Sequence, residues 1–256
     1  MILQHPAGLG YIPKRIISLV PSQTELLYDL GLDAETVGIT KFCVHPAAWF
    51  NTKKRIGGTK NINLKKIRQL KPDLIIANKE ENEREQVDML AIDFPVWVTD
   101  IHDLKGALGM MEDIGLLTGK TIEATEMIKQ VNLRFKEIRP AAGFNTAYLI
   151  WREPYMAAGG DTFIHDMLAS CGLINIYANQ KRYPEIQVKD LAIAGCQLLL
   201  LSSEPYPFKQ KHIDEIQTLL PHTRIILADG EFFSWYGSRL LQAAAYFNKL
   251  ITAFGV

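Results

Sequence analysis

Apolar positions along this chain follow two different periods. Short, β-branched runs have the length and flanks of buried strands: "RIISLV" (15–20), "TVGIT" (36–40), "DLIIA" (73–77) and "PVWVT" (95–99). Between them the spacing is helical, in "SQTELLYDLGL", "INLKKIRQL", "EREQVDML" and "HDLKGALGMMEDIGLLTG". Ser22 is the expected N-cap of the first of these helices, with Glu25 completing a capping box and Gly31 as the stop. Residues 120–138, "KTIEATEMIKQVNLRFKEI", form one helical pattern with no internal Gly or Pro, ended by the Pro/Gly break "RPAAGFN". The alternation then restarts. Strands are expected at "TAYLIW" (146–151), "QLLLLS" (197–202) and "RIILA" (224–228), and helices at "TFIHDMLASCG", "VKDLAIAG", "KHIDEIQTLL" and "SRLLQAAAYFNKLITAF".

Strands alternating with helices predict an α/β protein of parallel sheets covered by helices. The pattern divides into two Rossmann-like lobes, each with a mainly parallel sheet, joined by a single long α-helix. The expected boundaries are 1–119 for the first lobe, 120–139 for the helix and 140–256 for the second lobe.

Composition narrows the function classes. The 28 Lys and Arg balance 28 Asp and Glu, which leaves no electrostatic footprint for nucleic acid or an anionic membrane. Cys43, Cys171 and Cys196 are too few for a disulfide framework, although one pair, such as Cys171 with Cys196, stays open. The start lacks the basic and apolar regions of a secretory signal, and no apolar run reaches about 18 residues. A monomer is expected.

Ligands of open α/β sheets bind beyond the carboxyl ends of the strands. The uncommon residues of this chain recur at that position. They include Cys43, His45 and Trp49 in "KFCVHPAAWF" (41–50), a stretch with neither helix nor strand pattern. Trp151, Arg152 and Tyr155 follow the strand at 146–151. Glu204, Tyr206 and Phe208 follow 197–202, and Glu231, Trp235, Tyr236 and Arg239 follow 224–228. Four such loops in two lobes suggest a cleft lined by Trp, Tyr, Arg and Glu. Trp49, Trp151 and Trp235 can also be read as core capping the sheet ends. Cys43 and His45 can be weighed as a zinc site, an axial contact to a metal inside a bound chelate, or a nucleophile with its base; a lone Cys-x-His pair is too little for structural zinc, so no metal site made by the protein alone is expected. The glycines of "GGTKN" (57–61) suit a tight turn that presents Lys60 and Asn61. No phosphate loop, dinucleotide fingerprint, C-x-x-C, H-E-x-x-H or G-x-S-x-G occurs.

"RIISLVPSQTELLYDLGL", "VGITKFCVHP", "RIGGTKNINLKKIRQLKPDLIIANKEEN", the 120–138 helix and "DGEFFSWYGSR" together resemble the substrate-binding proteins of bacterial ABC importers for cobalamin and iron–siderophore complexes. The resemblance covers nearly the whole chain. It implies two α/β lobes on a helical backbone, a large metal chelate in the cleft, delivery to an ABC permease and a periplasmic location. "PSQTE" matches the family's first ligand loop, which adds Ser22 and Gln23 to the candidate contacts. Lys60 stands where cobalamin receptors present an aromatic ring. The resemblance implies permease docking through acidic residues, here Glu81, Glu83 and Glu85 with Glu80 beside them. On the second lobe the matching position is Ser234, near Glu231.

The expected function is a receptor, not an enzyme, with no required cofactor. The ligand is a corrinoid such as cobalamin first, a ferric siderophore or haem second. Trp49, Trp151, Tyr155, Tyr206, Phe208, Trp235 and Tyr236 would give apolar contact, and Arg152, Arg239 and Lys60 would meet anionic groups, with Glu204 and Glu231 orienting the arginines. The rival is a cytoplasmic enzyme or carrier acting on a corrinoid or related cofactor, with Cys43 and His45 at its centre.

Overall fold

The computed structural model describes residues 1–253. In the first half, β1 (Ile2–Leu3), β2 (Ile16–Ser18), α1 (Pro21–Asp29), β3 (Thr36–Ile39), α2 (Ala47–Thr52), β4 (Lys54–Arg55) and α3 (Leu64–Leu70) are followed by β5 (Leu74–Asn78), α4 (Arg84–Asp93), β6 (Val96–Thr99) and α5 (Leu104–Thr118). The long helical pattern forms α6 (Thr121–Phe135). In the second half come β7 (Asn145–Trp151), β8 (Tyr155–Ala157), α7 (Phe163–Ser170), β9 (Ile174–Asn175), β10 (Glu185–Ile186), α8 (Val188–Ile193), β11 (Leu198–Ser202), α9 (Gln210–Leu219), β12 (Arg224–Ala228), α10 (Gly230–Ser234) and α11 (Leu240–Ala253).

The first sheet runs β1-β6-β5-β2-β3-β4, and every pairing in it is parallel. Its central strands β2 and β5 are buried on both faces, so they read as continuous apolar runs rather than alternating ones. Ile17, Ile75, Ala77 and Val96 build its core against Ile56, Ile67, Val87 and Leu90. The second sheet runs β10-β8-β7-β11-β12, with β9 also on β7. Its β7, β11 and β12 are parallel, while β8 is antiparallel to β7 and β10 to β8. Leu149, Leu199, Leu201 and Ala147 pack there against Leu191, Ile216 and Leu220.

Two compact units emerge. Among the described residues, the first contains 1–101, 105–131 and 236–239; the second contains 102–104, 132–235 and the residues from 240 onward. The division falls inside α6, so that helix contributes to both units. Two short segments also lie apart from their own half of the sequence. Residues 102–104 are held in the second unit, where His102 Nδ1 bonds the Asp161 carbonyl and the Leu104 N–H donates to Asp166. Residues 236–239 belong to the first unit, where Gly237 has φ 109° and a Cβ there would lie 3.3 Å from Leu26.

Two local expectations fail. The N-cap of α1 is Val20, with no side-chain cap, and Ser22 lies inside the helix. Pro21 starts α1 because its fixed φ suits the first helical position and its missing N–H is not needed there. The second concerns 41–50, read as neither helix nor strand: Ala47–Thr52 is a helical turn that buries Trp49. The glycine turn does form. Gly57 has φ 108° and the Gly58 N–H donates to the Asn61 carbonyl at 2.8 Å. No helix among the described residues is long and apolar enough to cross a membrane.

Candidate functional site

In each unit the parallel strands bring their carboxyl ends to one edge. In the first unit, Asn82 ties the loops of that edge together. It is buried, its Nδ2 donates to the carbonyls of Leu19 (3.3 Å) and Thr59 (3.0 Å), and its Oδ1 accepts the Asn78 N–H. Asn78 Oδ1 in turn accepts the N–H groups of Glu80 and Glu81. The loop after β5 is therefore shaped by two asparagines. Glu81 is half-buried, Glu83 is the exposed N-cap of α4 and Glu85 is exposed on its first turn. Lys60 donates to the Glu80 carbonyl at 2.6 Å and lies 3.6 Å from the Glu83 carboxylate. Asn61 is exposed beside it.

The residues that opened the question at 41–50 separate in the structure. Cys43 is fully buried, with its sulfur 3.1 Å from Thr24 Oγ1 and 3.2 Å from Thr40 Oγ1. Burial pushes the thiol up despite those two hydroxyls. A neutral, enclosed thiol is neither a nucleophile nor an axial contact to a bound chelate, so both expectations for Cys43 are withdrawn. Trp49 is 2% exposed, donates Nε1–H to Asp33 at 2.6 Å and meets Tyr28 edge-on at 5.3 Å. It is core rather than a ligand wall. His45 is half-buried, and its field reaches the Glu25 carboxylate.

All three cysteines are buried and unpaired, so Cys171 and Cys196 form no disulfide. A native protein should therefore show no fast-reacting thiol towards an aromatic disulfide reagent, and three once denatured. Rapid labelling of Cys43 in the native state would contradict this burial.

Ser22 and Gln23 are also buried. Gln23 donates to Thr99 Oγ1 at 2.6 Å inside the sheet end. Arg239 was expected to reach a ligand from the second lobe. It belongs instead to the first unit and makes a two-pronged ion pair with Glu25, at 3.0 and 2.8 Å. Burial nevertheless leaves the Glu25 carboxyl above its usual value, with Arg239 pulling against that shift.

In the second unit, Glu204 does not orient an arginine. It accepts Ser234 Oγ–H at 2.7 Å and Trp235 Nε1–H at 2.8 Å, which fixes Trp235 at 6% exposure. Phe208 is buried as well, and Glu231 is half-buried in the first turn of α10; Tyr236, also buried, belongs to the first unit. Burial, with Glu231 and Asp229 nearby, raises the Glu204 carboxyl above the ordinary range. The sign follows from linkage. A raised folded-state value gives stability that is complete below the unfolded value of about 4.3 and is lost as pH rises through the folded one. Relative to the parent, Glu204→Gln should gain stability as pH rises from 4 to 7. A difference that stays flat in paired denaturation curves would remove this assignment.

What remains open at this edge is one cluster. Trp151, 40% exposed, ends β7 and meets Tyr206 at 5.8 Å in a T-shaped contact. Tyr206 follows β11, parallel to β7, and packs on Phe208 at 4.8 Å. Arg152 makes two bonds to Glu215, at 2.8 and 2.9 Å, and Tyr206 and Tyr155 lie near its guanidinium. His212, buried on α9, completes the group. Glu215 and His212 were not among the expected residues, because they lie on a helix rather than in a strand-end loop. Three strand-end peptides are cis: His45–Pro46, Glu153–Pro154 and Glu204–Pro205.

The sequence profile described as "Periplasmic binding protein" matches residues 16–217. A vitamin B12-binding protein of Yersinia pestis is 25% identical over 240 residues, which span 90% of this chain and 84% of the relative. Among solved structures, the periplasmic heme-binding protein of Vibrio cholerae superimposes with a TM-score of 0.79 at 18% identity, covering 93% of this chain and 98% of that one. A protein of the ABC-type Fe3+-hydroxamate transport system of Saccharomonospora viridis does so with a TM-score of 0.73 at 17% identity, covering 96% and 94%.

Proposed function

Because the chain belongs to the periplasmic binding protein family, we propose that it is a receptor for a metal chelate and hands it to an ABC permease in the periplasm, without catalysing a reaction on it. The single observation that carries this reading is the aromatic and arginine cluster at the carboxyl edge of the second sheet. Trp151 offers an exposed ring, and Arg152, Tyr155 and Tyr206 surround it with polar groups. Such a surface suits a flat, bulky ligand, since a ring buries much area for little lost rotamer freedom. The relatives' names support the candidate classes, a corrinoid, haem or a ferric siderophore, and the corrinoid is kept first from the sequence resemblance. Glu83 and Glu85 are the exposed acids available for docking. Arg152 is already neutralised by Glu215, so the cluster favours neither a strongly anionic nor a strongly cationic ligand.

Titration with cyanocobalamin, hemin and a ferric trihydroxamate, followed by absorbance and tryptophan fluorescence, tests the reading. At least one should bind, and Trp151→Ala should weaken it about 10- to 100-fold, as burial of one large side chain implies. Cys43→Ser should leave that affinity within about twofold. Failure of all three chelates to bind would remove the receptor reading for these ligands. Turnover of a chelate that depends on Cys43 would favour the enzyme instead.

A further inference from the structure

The polar side of the cluster contains a chain of bonds with a fixed direction. The backbone N–H of Lys209 can only donate, and it donates to His212 Nδ1 at 2.8 Å. His212 Nδ1 therefore carries no proton, and the neutral ring must hold its proton on Nε2. That nitrogen lies 3.3 Å from Tyr206 Oη, so the imidazole donates and the phenol oxygen accepts. The groups facing the ring are Lys209, Lys211, Arg152 and Glu215. Burial first, and the three cations after it, disfavour a second proton on the ring, while Glu215 opposes them. A protonated His212 would also set its Nδ1–H against the Lys209 N–H. The direction of the chain is thus set by the backbone.

Arg152, held by its two bonds to Glu215, lies near the phenol. An oxygen that accepts from the fixed His212 donor has its own O–H left to give. Tyr206 is half-buried, and its ring rests against the exposed Trp151.

We propose that Tyr206 is a specificity-determining hydrogen-bond donor, locked in that role by His212, which recognises an acceptor oxygen on the edge of the ring system that Trp151 covers. The acceptor is a carboxylate or an amide carbonyl. His212 is a positioning residue that acts through Tyr206. The inference rests on the receptor reading above.

Two measurements test it. The first needs no ligand: the imidazole nitrogen shifts of His212 should report the Nε2–H form at neutral pH, with protonation only below the ordinary imidazole range. A mixture of tautomers, or protonation near pH 6.5, would overturn the directed chain. The second uses whichever of cyanocobalamin, hemin or the ferric trihydroxamate binds the parent protein. Tyr206→Phe keeps the ring and removes only the hydroxyl. It should weaken binding about 3- to 10-fold for a carbonyl acceptor and about 10- to 100-fold for a carboxylate. This difference, together with esterification of the propionates in the hemin arm, separates the two acceptors. His212→Asn should weaken binding in the parent background and add nothing in Tyr206→Phe, a non-additivity that a merely structural role would not produce. Unchanged affinity in a folded Tyr206→Phe protein would overturn the donor role while the receptor reading stands. Absence of binding by the parent to all three probes would overturn both.

Discussion

Replacing Arg239 with alanine is expected to cost about 3–5 kcal/mol of folding stability, the range for breaking a buried ion pair from one side. Arg239 and Glu25 have side chains only 10% and 13% exposed and share two short hydrogen bonds. Without the guanidinium, Glu25 stays enclosed with a charge it cannot easily keep. Its carboxyl, already raised by burial, should rise further. A group with a raised folded-state value is least destabilising when protonated, so the loss should be larger at pH 8 than at pH 4. The double variant Glu25→Met/Arg239→Met removes both charges and fills the space with flexible apolar chains, and should recover most of the stability. Chemical denaturation at the two pH values checks each point. A loss below about 1 kcal/mol at pH 8 would mean that solvent reaches the pair.

Phe233→Ala should cost a similar amount, about 3–5 kcal/mol, as large-to-small changes of buried aromatics do. Phe233 has no exposed surface and lies between Tyr148, at 5.0 Å, and Phe247, at 4.9 Å. It matters beyond its own volume because α10 has only five residues, too few to hold a helix unaided. Its anchor is Phe233, and the next two residues, Ser234 and Trp235, supply both bonds to Glu204. The variant should lose exchange protection at the Trp235 indole N–H as well as stability. Phe233→Leu should lose less of each. A stable Phe233→Ala protein with the Trp235 indole still protected would show that α10 is held by other contacts.

Some features were legible from residue order alone, and each depended on neighbours close in sequence. The strands at 74–78, 198–202 and 224–228 lie where apolar runs end at turn residues, and α6 follows an uninterrupted helical spacing. The glycine turn at 57–61 forms as its residue types suggest. β1 and β4 escaped notice because two residues are too short to display a period; only pairing with a neighbouring strand makes them strands. The cap at Ser22 was misread because two start signals compete there, and Pro21 comes first.

The position of the candidate surface follows from the sequence as well. Parallel strands bring their carboxyl ends to one edge, and the uncommon residues follow those ends. Which of these residues are free to meet a ligand was decided only by the tertiary structure. Cys43, Trp49, Trp235 and Arg239 look like their exposed counterparts in a strand-end loop, yet each is consumed by a partner inside the protein. Arg239 meets Glu25 across 214 positions, a pairing no local pattern can signal. Tyr206 meets His212 on α9, a helix its strand-end loop gives no hint of. Backbone periodicity is a local property and can be read along the chain. Burial and the direction of a hydrogen bond are set by atoms that only folding brings together, and they separate the exposed ring of Trp151 from the enclosed ring of Trp49.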